Sequence, residues 1–258
     1  MAFRFVKWRL MVTTLPITLL VLAAKLFILL GMNYEGLVKF SEVGVVVTGG
    51  MFLIGFMLAG TMSDYKESEK IPAELASILE TLEDTCRLAT EYKGGIDLAA
   101  QRRQLLSLTD CLLGWFRRSC SAEDVYAAIG GLTGVALTLE RAGAGPIASR
   151  ISSEQHNLRK LFARVNVIRN THFLATGYAL LEVLIIVVIA LLLVAKFDSL
   201  ILAIIIVSFI TQIFIYMLRL IRDVDEPFEY NPTGRVGAAD VDLFPVLHYR
   251  ERIAGRIG

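Results

Sequence analysis

Cysteine, histidine and proline are all scarce in this sequence: three, three and six among 258 residues. Cys86, Cys111 and Cys120 are odd in number, widely spaced and form no CxxC pair, which excludes a disulfide scaffold. They read as ordinary thiols in a reducing compartment. His156, His172 and His248 stand far apart, with no cysteine or carboxylate at a metal-ligand spacing, so no zinc site is expected. Charge of neither sign dominates: 26 Lys and Arg balance 25 Asp and Glu to a net +1, which gives no basic field for nucleic acid. GxSxG, Walker A and GxGxxG patterns are all missing, and the expectation is that the protein is not an enzyme. Gly130-Gly131 falls within a helical pattern and reads as a packing point rather than a phosphate loop.

What the chain has in excess is apolar residues, 55% with a mean hydropathy of +0.60, against roughly 45–50% in a soluble domain. Four stretches of about 20 residues hold most of the surplus, each long enough to cross a bilayer. They run from about Leu10 to Leu30, Val43 to Met62, Phe173 to Ala195 and Leu200 to Leu218. The first is too long for a signal-peptide core and lacks a small-residue cleavage site, so it reads as a retained helix. Basic residues fix the orientation. Arg4, Lys7 and Arg9 precede the first span, and Lys66, Lys70, Arg164, Arg169, Arg219 and Arg222 flank the others on the same side. The opposite loops hold only Lys39 and Lys196. Both termini and the long middle segment are therefore expected in the cytoplasm of a bacterial inner-membrane protein, with membrane lipids as its surroundings.

The expected organisation is all-α. Residues 1–62 carry the N-terminal cytoplasmic segment and spans one and two; 63–172 form a cytoplasmic helical domain; 173–220 carry spans three and four; 221–258 form an acidic Pro-Phe C-terminal segment. In the middle domain Ile71, Leu75, Ile78, Leu79, Leu82, Cys86 and Ala89 recur at helical spacing, ended by Gly94-Gly95. Leu98, Leu105, Leu108, Leu112 and Trp115 mark a second helix. Ser121 with Asp124 starts a third, which Gly143 stops, and a fourth runs on from about Ile147. Residues 64–92 carry a balance of −5 and residues 145–172 one of +4. Antiparallel packing of the first and last helices would pair these faces; two separately solvated faces are the alternative.

Three groups of residues are candidate sites. Thr48, Phe52 and Phe56 share one face of the second span, among glycines 49, 50, 55 and 60 that let backbones approach. A ring of such helices would form a hydrophobic constriction; the alternative is that the rings face lipid or a neighbour within the subunit. Lys25 and Glu182 are charges inside spans, hence candidates for a permeation path. Their depths differ by roughly 9 Å at 1.5 Å per residue, too much for an easy pair, and each could instead snorkel to an interface. Asp223, Asp225 and Glu226 offer oxygens for a hard cation such as Ca²⁺; the alternative is a solvated, loosely ordered tail.

The layout resembles the bacterial branch of the bestrophin superfamily. Leu53-Ile-Gly-Phe56 followed by Ser63-Asp-Tyr-Lys-Glu-Ser68 is similar to that family's Gly-Phe and downstream tyrosine pattern. Asp223-Val-Asp-Glu-Pro-Phe228 is similar to its acidic Pro-Phe motif after the last span. The resemblance implies a pentameric ion channel, with the second helix of each subunit lining the pore. Matching on Gly-Phe puts the apolar neck at Thr48, Phe52 and Phe56; matching on Tyr65 moves it toward Ala59. Thr48 is polar where the family's neck is apolar, and the family's calcium clasp uses a denser acidic run than the one here. The expected function is an oligomeric channel for small ions, anions such as chloride slightly ahead of cations. A membrane-anchored scaffold or sensor, binding a protein partner through the helical bundle, is the rival. A transporter is disfavoured, since the span pairs show no matching broken helices.

Overall fold

The computed structural model describes residues 3–32, 34, 36–170, 175–230 and 239–257, the side chains of residues 3–7 and 175 excepted. The described helices are α1 (Phe3–Leu26, running on as a π-turn at Phe27–Gly31), α2 (Phe40–Ser68), α3 (Ile71–Lys93), α4 (Leu98–Phe116), α5 (Ala122–Arg141), α6 (Gly145–Asn170), α7 (Ala175–Val194), α8 (Leu200–Asp225) and α9 (Phe244–Gly255). The chain divides into two compact units. The first comprises Met1–Tyr65, His172–Glu226 and Gly237–Ala239, the second Lys66–Thr171 with Pro227–Val236 and Asp240–Gly258. His172 and Phe173, where the sequence places the start of the third span, lie outside the described residues.

The first unit holds four helices long and apolar enough to span a membrane. Its core is built from stripes at helical spacing: Val43, Val47, Ile54 and Met57 of α2, Leu181, Ile185, Val188 and Leu192 of α7, and Val207, Ile210 and Phe214 of α8. Large apolar side chains also stay exposed, among them Leu20, Val183, Ile186, Ile201 and Phe209. A soluble protein would aggregate through such a belt; a lipid-embedded one requires it. Gly50 sits where α2 passes closest to its neighbours, since a Cβ there would meet the Phe214 ring at 2.8 Å. Pro16 lies within α1 without breaking it, as membrane helices tolerate.

Within the α1–α2 connection, Val38–Lys39 pairs in parallel with Ala195–Lys196. Among the described residues this two-residue ladder is the one departure from an all-helical reading, and it fixes the loop onto the end of α7. Leu37 N–H donates to Val194 O at 2.9 Å. Gly36 has φ +104°, and a Cβ there would lie within 3 Å of three backbone atoms of residues 194–196. No other residue type fits without moving that loop.

In the second unit α3 buries Ile71, Leu75, Leu79, Leu82, Cys86 and Ala89, the stripe expected from sequence. Ser121 and Asp124 form a capping box at the start of α5, and Gly143 closes that helix at φ +79°. α3 packs on α6, and Arg164 of α6 donates to both carboxylate oxygens of Glu67, in the last turn of α2, at 2.9 and 2.8 Å. The oppositely charged faces thus meet. Gln104 donates to Gly131 O at 2.8 Å, so the double glycine is a packing point between α4 and α5.

The C-terminal stretch is not a loose tail. Phe228 and Tyr230 pack on Phe116, with ring centroids 5.5 and 6.0 Å away. Tyr230 OH donates to Val241 O at 2.7 Å. Beyond, α9 buries Val246, Tyr249 and Ile253 against α3 and α4. Arg252 pairs with Glu80 and Arg250 with Asp110, and the buried Glu83 carboxylate accepts from Arg102 and Arg256, both at 2.9 Å. The apolar stripe of α9 has only three members set among charges, too short to separate from a solvated segment by pattern. Glu83→Gln keeps the volume but removes the charge that two guanidiniums share. Losing charge-assisted hydrogen bonds at a buried site costs about 1–3 kcal/mol, a fall of roughly 2–12 °C in apparent Tm for a chain this size. Circular dichroism of the detergent-solubilised protein measures it; a shift below about 1 °C would mean Glu83 does not hold α9 in place.

Candidate functional site

The site is read on α2, whose two faces differ. One face, Val43, Val47, Gly50, Ile54, Met57 and Thr61, is buried in the first unit. The other presents Val45, Thr48, Gly49, Phe52, Gly55, Phe56, Ala59 and Ser63, all exposed. Phe52 and Phe56 are 80% and 70% exposed, more than the large apolar residues of α7. Thr48, Phe52 and Phe56 lie one turn apart, so the trio covers about 12 Å of helix. The Thr48 hydroxyl donates to Gly44 O at 2.8 Å, which ties its proton to its own helix. Thr48 is therefore less polar toward its surroundings than its residue type suggests. Gly44, Gly49 and Gly55 have nothing in the chain within 4 Å of where a Cβ would lie.

Lys25 and Glu182 are not brought together. Lys25 is buried, 1% exposed, and its Nζ donates to Leu193 O at 2.8 Å and Ala195 O at 2.7 Å. The Nζ also lies over the Phe197 ring, 5.1 Å from its centroid. The ammonium thus caps the C-terminal carbonyls of α7, where a helix accumulates negative potential. Glu182 pairs with Arg222 of α8, and Arg222 lies 6.0 Å from the Tyr178 ring centroid. That pair is half-exposed. Arg222 lies further along α8 from the 196–199 turn than Glu182 lies along α7, so a simple hairpin register does not signal this pair. Sequence reasoning also missed Gln212, whose amide donates to Thr14 Oγ1 and accepts from Thr18 Oγ1, both at 2.6 Å. These bonds join α1 to α8.

Asp223 and Asp225 end α8, and Glu226 follows it. Among the described residues no three His, Cys, Asp or Glu side chains are grouped as a metal ion needs. A calcium ion takes 6–8 oxygens, more than three carboxylates supply with one oxygen each.

A scan against protein-family models finds no match, and neither does comparison with curated proteins. Solved structures do match. A bacterial Bestrophin homolog from Klebsiella pneumoniae covers 96% of this chain over 97% of its own (TM-score 0.73, 14% identity). Two single-residue mutants of a Klebsiella pneumoniae Bestrophin homolog cover 95% and 98% of the chain over 99% and 98% of their own, with TM-scores of 0.77 and 0.74 at 13% and 14% identity. The chain therefore has the all-α fold of the bacterial bestrophin homologs along nearly its whole length. With four membrane-length apolar helices, it is a multi-pass membrane protein.

Proposed function

We propose that the chain assembles as a homopentamer around the exposed face of α2 and passes small ions through a central pore, anions such as chloride ahead of cations. Thr48, Phe52 and Phe56 form its hydrophobic neck. The supporting observation is the make-up of that face. The outer face of α7 is filled with Leu180, Val183, Ile186 and Val187, as contact with lipid favours. The open face of α2 instead alternates two phenylalanines with Thr48, Gly49, Gly55, Ala59 and Ser63, a surface suited to close helix neighbours and a narrow lumen. Pentamer and anion preference rest on the resemblance to bestrophins. Both termini and the second unit lie in the cytoplasm of a bacterial inner membrane in this reading, on the strength of the flanking basic residues.

Purified protein in a planar bilayer under a tenfold KCl gradient tests it. The expected result is unitary current with a reversal potential approaching about 59 mV in magnitude, the ideal for a monovalent ion, of the sign set by chloride. The opposite sign would replace chloride by potassium. Silence across voltage, Ca²⁺ and pH, from protein shown to be folded and inserted, would overturn the channel reading in favour of a membrane-anchored scaffold.

A further inference from the structure

The turn joining α4 to α5 folds back over α4. Arg118 has φ +62°, and the N–H groups of Ser119 and Cys120 both donate to Gly114 O, at 2.8 and 3.3 Å. A left-handed residue after a helix end makes such a return. It carries the Cys120 side chain across Gly114: a Cβ on Gly114 would lie 2.8 Å from Cys120 Sγ and 3.5 Å from its Cβ. Cys111 precedes Gly114 by one turn on the same face of α4, and the Cys111 and Cys120 thiols interact. Both are half-buried, whereas Cys86 is enclosed in the core at 1% exposure. Cys120 also lines an open cavity of about 450 Å³ with Trp115, Arg118, Ser121, Asn166 and Arg169, wide enough for a small solute to reach the sulfur.

We propose that Cys111 and Cys120 form a reversible intrachain disulfide under hydrogen peroxide, making the α4–α5 turn an oxidative modification site. The Cys120 sulfur, as thiolate, attacks one peroxide oxygen. The O–O bond breaks, hydroxide leaves and is protonated to water, and Cys120 becomes a sulfenic acid. The Cys111 sulfur then attacks the Cys120 sulfur; the S–S bond forms as the S–O bond breaks, and the departing hydroxide takes the Cys111 proton. Two thiols lose two electrons in all, and one peroxide is reduced to two waters. Cys120 is the first participant because it lines the open cavity by which peroxide enters, and Cys111 the second, its thiol pushed up to about 11 by burial and the neighbouring Cys120. In a reducing compartment such a bond is transient, the pattern of a redox sensor rather than a structural staple. It would fix the turn from which Arg118 reaches Glu229, 3.4 Å away, on the Pro-Phe stretch.

The full-length protein in detergent is exposed to hydrogen peroxide, its remaining thiols are alkylated, and it is digested without reductant for mass spectrometry. The expected product holds Cys111 joined to Cys120 within one chain, lighter by two hydrogens and restored by dithiothreitol, with Cys86 unoxidised. In Cys111→Ser the sulfenic acid on Cys120 persists and is trapped by dimedone. In Cys120→Ser, Cys111 stays reduced. Both variants elute from gel filtration as the parent does. The proposal is overturned if both thiols of the parent remain alkylatable after peroxide. It is equally overturned if Cys120 oxidises beyond the sulfenic acid without a crosslink, or if the crosslink joins different chains.

Discussion

Alanine at both Phe52 and Phe56 is expected to raise single-channel conductance severalfold while leaving thermal unfolding almost unmoved. The two effects separate because the rings take no part in the subunit's core. At 80% and 70% exposure they fill no internal space, so their truncation leaves no cavity, and surface changes of this kind stay within about 0.5 kcal/mol. In a pore the same rings set the width and wettability of the neck, and a hydrophobic constriction resists ions by excluding water. A severalfold gain in flux corresponds to removing about 1 kcal/mol of barrier. Thr48→Val should change conductance little, because the Thr48 hydroxyl already donates to Gly44 O. Bilayer recording of both variants beside the parent checks this. Unchanged conductance in the double variant, with a fall in conductance on Ala59→Phe, would move the neck one turn toward Tyr65. A lower Tm with dissociation of the oligomer would instead mean that the rings pack between subunits.

The spans were legible because length and lack of charge decide them without any pattern: α2 and α8 contain the second and fourth stretches, α1 with its π-turn contains the first, and α7 covers the described part of the third up to Val194. The helices of the second unit were legible too, since each carries its own punctuation, such as Ser121 with Asp124 at the start of α5 and Gly143 at its end. What was not legible depends on which residues meet. Lys25 reads as an isolated charge in an apolar run, and only the approach of α1 to the end of α7 gives it two carbonyls. Glu182 likewise needed the α7–α8 hairpin to find Arg222. α9 was hidden because its buried Tyr249 and Ile253 are separated by Arg250, Glu251 and Arg252, whose ion-pair partners, where present, lie 140 or more residues away. On α2 the spacing of Thr48, Phe52 and Phe56 announced a common face, and the fold leaves that face open within the chain.

Lys25→Met is expected to lower stability by about 3–5 kcal/mol, the cost of removing one partner from a buried charged contact. Methionine keeps the length and the helix propensity of lysine, so the loss isolates the ammonium. The carbonyls of Leu193 and Ala195 cannot be substituted away, and each buried acceptor left without its donor costs about 1–3 kcal/mol. Water is not at hand to replace the bonds, because Lys25 is 1% exposed and sits beneath the Phe197 ring. An apparent Tm lower by roughly 6–20 °C follows at about 2–4 °C per kcal/mol, and Lys25→Gln, which retains one donor group, should fall between. Three readings of this residue give three different results. A snorkelling lysine tolerates methionine with no loss of stability, since its head contributes nothing to packing. A lysine on the ion path changes conductance and reversal potential in protein that melts where the parent does. A cap on α7 lowers the melting point first, and because the ladder pairs Val38 with Ala195, one of the two residues whose carbonyls Lys25 holds, hydrogen exchange should rise at Leu37 and Val38 before the rest of the first unit opens.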